Sequence, residues 1–219
     1  MGDIHLPYHS KRAVEDALAY IKFVKPDIVV QLGDLADCLS WGRFPRSLNG
    51  LTPKQEWSLA RRQAIELWQK IRSAAGKDCE LYQLLGNHCE RPLKQILSKA
   101  PEYEHMIAEE MGRFFSFDGV TTMPSENKEL IIDGCVYMHG HRKHGSHVTY
   151  NLKSTTVGHL HLGGVVYLRL DKRTVWELNA GYLGQPREMG GYRKQTEIDK
   201  WTAGIGHTDD FGPRFVAFK

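Results

Sequence analysis

Five short polar clusters in the sequence carry metal-binding residue types, and four of them close apolar runs. Asp3-Ile4-His5 opens the chain, and Gly33-Asp34, Gly86-Asn87-His88, His139-Gly140-His141 and Gly158-His159-Leu160-His161 follow. Alternate residues on an extended chain point the same way, so Asp3 with His5, and His159 with His161, can each present two donors to one cavity. The set is two aspartates, one asparagine and four histidines, with His88 left over. Seven donors are too many for one ion and suit two, with one carboxylate shared. Hard oxygens mixed with imidazoles, without an obvious thiolate, favour Mn, Fe or Zn. Two cations ~3.5–4 Å apart would stabilise the attacking and leaving oxygens of an in-line displacement at phosphorus, and would acidify a bridging water.

Such a cluster needs strands to deliver it, because in open α/β sheets ligands gather beyond the carboxyl ends of strands. The glycines before Asp34, Asn87 and His159 suit sharp exits from those strands. Ser10 can cap a helix whose apolar positions Ala13, Val14, Ala17, Leu18, Ile21 and Val24 repeat at three and four, until Pro26 stops it. Asp27 to Leu32 reads as a buried strand. Residues 40 to 51 read as a loop holding Trp41 and Phe44, which can stack on a nucleobase or pack down. Thr52-Pro53 starts a second helix running to about Ala75, with Trp57, Leu59, Ile65, Leu67, Trp68 and Ile71 as its core face. Glu80 to Leu85 reads as a strand, Pro92 to Lys99 as a helix, and the stretch from there to about Asn127 as polar connection. Glu129 to Met138 reads as a strand pair or one long strand broken at Asp133-Gly134. From Ser154 onward the chain is β-rich, with strands at Ser154–Val157, Val165–Leu170, Thr174–Leu178 and Arg214–Phe218. Alternation first and strands later points to an α/β sandwich of mixed sheets.

Composition bounds the alternatives. The 219 residues carry 29 Lys+Arg against 26 Asp+Glu, a net charge of +3, with 41% hydrophobic and 25% charged residues. These are globular values, and we read residues 1–219 as one domain. The balanced charge gives no basic stripe of the kind that announces a nucleic-acid binder. Cys38, Cys79, Cys89 and Cys135 form no CxxC pair, which reads as reduced thiols in a cytoplasmic protein. No apolar run approaches the ~20 residues of a membrane span.

Taken in order, Asp-x-His, Gly-Asp, Gly-Asn-His, His-Gly and Gly-His-x-His resemble the motifs of the calcineurin-like metallophosphoesterases. The match runs from Asp3 to His161 and looks most like compact phage and bacterial members. The resemblance implies a four-layer fold, two mixed sheets flanked by helices, with the site at one edge. It implies that Asp3, His5, Asp34 and His161 hold one divalent ion and that Asp34, Asn87, His139 and His159 hold the other, Asp34 bridging. Mn is the first expectation for both ions, with Fe, Zn or Ni as alternatives. His88 would face the phosphate, as proton donor to the leaving oxygen or as a stabiliser of transition-state charge. The implied activity is hydrolysis of a phosphate ester, diester over monoester, by a metal-activated water. A nuclease using the same site is the alternative, and a silent scaffold of the same fold is a more distant one.

Two departures from the family pattern stand out. Cys89 follows Gly-Asn-His where an acidic residue is usual, which bears on how His88 is oriented. Only Met1 and Gly2 precede Asp3, where the family has a strand, so the first strand is expected to be lacking, Asp3 to be loosely held, and five to eight apolar residues to precede it natively. Arg91, Arg142 and Lys143 lie beside the motifs and can pair with a phosphate; Arg142, with Asn87 and His88, is the expected substrate contact. His141, His144 and His147 form either a separate metal tract with His139 or, preferred, groups around one ligand. His9, His105 and His207 read as ordinary residues.

Overall fold

The computed structural model describes residues 1–42, 50–124, 128–186 and 195–218. Phe44 lies outside them. Helix α1 (Lys11–Val24) begins where the Ser10 side chain accepts the Ala13 amide, and it buries Ala13, Val14, Ala17 and Ile21. Helix α2 (Pro53–Ala75) starts from a capping box, Thr52 and Gln55 each bonding the other's backbone. Its buried face runs through Ala60, Ala64, Leu67, Trp68 and Ile71, while Ile65, expected in the core, is exposed. The small alanines let α2 lie close on its neighbours.

Between these helices lies β1 (Ile28–Gln31), which pairs in parallel with β2 (Glu80–Gln83), itself parallel to the two-residue β3 (Thr121–Thr122). This first sheet is therefore all parallel, not mixed as expected. Helices α3 (Arg91–Lys99) and α4 (Glu104–Phe114) connect β2 to β3. Helix α4 falls in the stretch expected to be polar connection, and it buries only Met111 and Phe114, too little apolar periodicity to announce itself.

The second sheet is mixed, ordered β4 (Glu129–Ile132), β5 (Cys135–Met138), β6 (Thr155–Val157), β8 (Thr174–Ala180) and β7 (Gly163–Arg169). The expected turn at Asp133-Gly134 joins β4 to β5. A short helix α5 (Ser146–Asn151) separates β5 from β6, and the four-residue α6 (Gln195–Ile198) precedes a final hairpin, β9 (Gly204–Asp209) and β10 (Gly212–Ala217). No helix among the described residues is long and apolar enough to cross a membrane.

The segment Met1–Leu6 joins the two halves. The Leu32 amide donates to the Met1 carbonyl, those of Ile4 and His5 to Asp34, and that of Leu6 to Leu35. On the other side the Leu183 amide donates to the Asp3 carbonyl. Every residue from Met1 to Leu6 is buried. Asp3 is thus pinned from both sides, and the expected fraying does not occur. The Met1 amine, 2.6 Å from the Val30 carbonyl, borders a cleft of about 820 Å³. The cleft lies between α1 (Ile21, Val24), β1 (Ile28, Val30), β8 (Leu178) and β9 (Ile205).

Candidate metal centre

The strand ends deliver the expected clusters to one place. Asp34 follows β1, Asn87 and His88 follow β2, His139 follows β5, and His159 and His161 follow β6. Asp3 and His5 arrive on the buried amino-terminal segment. In one corner Asp3 Oδ2 lies 3.0 Å from His161 Nε2, and the Nε2 atoms of His5 and His161 are 3.1 Å apart. In the other, His139 Nε2 is 3.1 Å from Asp34 Oδ2 and 2.9 Å from Asn87 Oδ1. His159 Nδ1 also lies 2.9 Å from Asn87 Oδ1. Among the described residues three groups have potential ligand atoms all within 4.8 Å of one another: Asp3, His5 and His161; His5, Asp34 and His88; Asp34, His139 and His159. His5 and Asp34 each belong to two of them, so the middle group links the two corners.

These residues fit a pair of cations. Imidazole nitrogens and carboxylate oxygens face each other in a buried space, and Asp3 Oδ2, though 3.0 Å from His161 Nε2, makes no hydrogen bond of good geometry. A buried polar atom without a partner is costly, and a cation would satisfy it. His139 Nδ1 faces the Leu32 carbonyl at 3.1 Å, which fixes its proton there and leaves Nε2 free to ligate.

Close packing explains the glycines better than sharp exits alone. Gly33 does take a left-handed φ of 106°. At Gly86 a Cβ would stand 2.2 Å from Asp34 Oδ1, and at Gly158 it would stand 2.5 Å from Asp3 Oδ1. A side chain is excluded at both positions because the Asp34 and Asp3 carboxylates occupy the space. Both carboxylates are also held by backbone: the His88 amide donates to Asp34 Oδ1 at 2.8 Å and the His159 amide to Asp3 Oδ1 at 3.0 Å.

The electrostatics follow from burial and crowding. Burial opposes ionisation of Asp3 and Asp34, but the histidines around them outweigh it and hold both carboxyls well below the usual range. Burial likewise pushes the His139 imidazole down, yet Asp34 and Asp3 outweigh it and raise it to about 9. His159, half-buried beside His139, is pushed down to about 4 by desolvation and by that neighbour.

His88 is oriented by Asp37, a residue the sequence reading did not single out. Asp37 Oδ1 accepts from His88 Nδ1 at 2.8 Å and from Arg91 Nη1 at 2.7 Å, and Arg91 Nη2 lies 2.9 Å from His88 Nε2. The signal was present as a second aspartate three positions beyond Asp34 in the same strand exit. Cys89 therefore does not decide the orientation of His88. Its side chain is buried in the core, Sγ toward the Ala36 carbonyl, and burial near Asp34 pushes the thiol up to about 12. A second missed feature is an aromatic wall, Tyr182 and Trp201, whose ring centroids each lie 4.4 Å from that of His161.

Other expected contacts fall elsewhere. The Arg142 guanidinium lies over the Tyr150 ring, 4.0 Å from its centroid. Trp41 is half-buried against the core. His147 is buried, its Nε2 accepting the amides of His141 and Arg142, while His141 and His144 are exposed. Among the described residues no group of three metal-ligand side chains includes His141, His144 or His147. His207 pairs with Tyr20.

The family model described as calcineurin-like phosphoesterase matches residues 1–208. The Gene 54 protein of Mycobacterium phage L5 is 24% identical over 204 residues, covering 84% of this chain and 77% of the relative. The Gene 54 protein of Mycobacterium phage D29 is 24% identical over 224 residues, covering 94% of this chain and 86% of that protein.

Proposed function

We propose that this chain, which belongs to the calcineurin-like phosphoesterase family, is a dinuclear enzyme that hydrolyses a phosphodiester. The observation that carries the reading is the position of Asp34 between two converging donor sets, with His88 beside it. Asp3, His5, Asp34 and His161 would hold one ion and Asp34, Asn87, His139 and His159 the other. Two such ions supply Lewis acidity, polarising a phosphoryl oxygen and acidifying a water. The donor set, mostly imidazole, favours Mn over Mg.

The chain's own residues do the remaining work. Asp37 holds one proton of His88 on Nδ1, so Nε2 is the working nitrogen; a second proton carried there by the imidazolium is the one that would pass to the leaving oxygen, returning Nε2 to a lone pair. A proton donor matters most for the poor leaving group of an alkyl diester, which is why the diester is favoured. The strand-end placement of the ligands supports the four-layer αββα arrangement of the whole chain as one domain. The four buried, unpaired cysteines support a reducing cytoplasmic setting.

The test is a panel of aryl and alkyl mono- and diesters, cyclic nucleotides and nucleic acids, assayed after chelation and with Mn or Mg restored. Restoration by Mn above Mg, with diesters turned over fastest, is the expected result. Full activity in Mg alone would refute the ligand assignment. Strongly salt-dependent turnover of DNA or RNA would identify a nuclease instead.

A further inference from the structure

Arg91 is clamped in a way that leaves one arm to explain. It is the first residue of α3, and its Nη1 donates twice to Asp37, to the carbonyl at 3.1 Å and to Oδ1 at 2.7 Å. Its Nη2 meets His88 Nε2 at 2.9 Å. The Arg91 side chain is 16% exposed and that of Asp37 is 1% exposed, so a buried carboxylate fixes a cation at the edge of the site. One terminal nitrogen of Arg91 is spent on oxygens of Asp37. The second is spent on an imidazole lone pair, the working nitrogen of His88.

We propose that Arg91 contacts the phosphate of the substrate directly, Nη2 donating to an oxygen that enters between it and His88 Nε2. This rests on the phosphoesterase reading above. A phosphate oxygen is a charged acceptor, and charge-assisted bonds to guanidinium are about twice as strong as neutral ones. Exchange of the imidazole for that oxygen is therefore favourable, and Asp37 keeps the guanidinium in place without reorganisation. The corner made by Asp37, His88 and Arg91 is thus a binding site for one phosphate oxygen. Arg142, whose guanidinium lies over Tyr150, does not take that place.

The experiment uses the full chain loaded with Mn and compares wild type with Arg91→Gln, Arg91→Lys, Arg91→Ala and Asp37→Asn. Binding of inorganic phosphate is measured by calorimetry, metal content by elemental analysis, and kcat and KM on bis-nitrophenyl phosphate. Arg91→Gln should keep its metal and bind phosphate about 10- to 100-fold more weakly, the range for loss of a charged hydrogen bond. Arg91→Lys, which keeps the charge without the fork, should fall between, and added guanidinium should partly restore Arg91→Ala. Unchanged phosphate affinity in Arg91→Gln with metal retained overturns the proposal. So does an equal loss of kcat in Arg91→Gln and Asp37→Asn with phosphate affinity intact, which would make Arg91 a support for Asp37. If wild type neither binds phosphate nor hydrolyses any ester, the phosphoesterase reading itself fails.

Discussion

Extending the chain ahead of Met1 by four residues, Val-Leu-Ile-Val, should stabilise the protein, and most below neutral pH. The cleft of about 820 Å³ is lined by α1, β1, strands of the second sheet and β9. β1 turns alternate residues toward β2, as when the Glu80 amide donates to Asp27 and that of Leu84 to Gln31. Ile28 and the Val30 amide therefore face the cleft. Met1 already pairs with this edge, its amine donating to Val30 and its carbonyl accepting from Leu32. A strand continuing backward from Met1 would meet the Val30 amide and the Ile28 carbonyl.

Four buried aliphatic side chains contribute roughly 6–12 kcal/mol, and ordering four residues costs about the same. What remains is about two hydrogen bonds at ~1 kcal/mol each and relief of the Met1 amine. Burial lowers that amine from 8.0 to about 5. At pH 7 it is protonated in the unfolded chain and neutral in the folded one, a penalty of about 1.4 kcal/mol. Converting the amine to an amide removes the penalty, for a net gain of about 3 kcal/mol, or roughly 6–12 °C in Tm for a chain of this size. The sign with pH is distinctive. A folded pKa below the unfolded one makes the parent chain gain stability as pH rises from about 5 to 8. The extended chain should lose that slope, so the difference in Tm should widen toward pH 5. Thermal melts of both chains at pH 5, 6, 7 and 8 are the assay. Equal melting temperatures with the same pH slope would refute both the seating of the strand and the burial of the amine.

The other predictions concern the metal corners. Asp34→Asn should reduce bound metal from two ions to one or fewer by elemental analysis, because a neutral amide does not screen two cations; two ions retained would mean that Asp34 does not bridge. The same variant should lower metal-free stability near pH 7, since Asp34 is the main charge raising His139 to about 9. That contribution is complete below the ordinary histidine pKa and disappears as pH rises through about 9, so melts of wild type and variant should converge at alkaline pH. His88→Ala should keep both metals and lower turnover by roughly 10²–10⁴. The loss should be larger for alkyl than for nitrophenyl esters; equal losses would restrict His88 to electrostatic stabilisation or binding.

Much of the centre is legible in the sequence because strand exits concentrate its donors in short motifs. Asp3, His5, Asp34, Asn87, His139, His159 and His161 each lie in such a motif, and all seven converge. What is not legible depends on how elements meet. Arg91 and Asp37 are far apart in sequence, and their contact exists only because α3 starts where the exit of β1 passes. Trp201 reaches His161 from a segment with no motif at all. Helix α4 escaped because a helix covering one edge of the core needs only two buried side chains. The amino-terminal segment misled for a related reason: strand length predicted fraying, but burial between the β1 exit and Leu183 supplies from both sides the bonds that a longer strand would have supplied along one.

The backbone shows that the centre is shaped for its donors rather than by ordinary turns. Among the described residues eight non-glycine residues adopt a positive φ, and four of them are His5, Asp34, His159 and His161. Of the other four, Lys25 and Leu152 end helices and Asp133 sits in the β4–β5 turn, where such angles are expected, while Cys38 leads into the short 3₁₀ turn Leu39–Trp41. Each strained ligand costs on the order of 1–3 kcal/mol, which persists only when the surroundings over-determine it. The surroundings here do so. The Asp34 carbonyl accepts two amides from the amino-terminal segment, and the His161 carbonyl accepts that of Thr202. Burying two ionised aspartates among imidazoles becomes favourable once cations stand between them, and the strained backbone aims these side chains at that space.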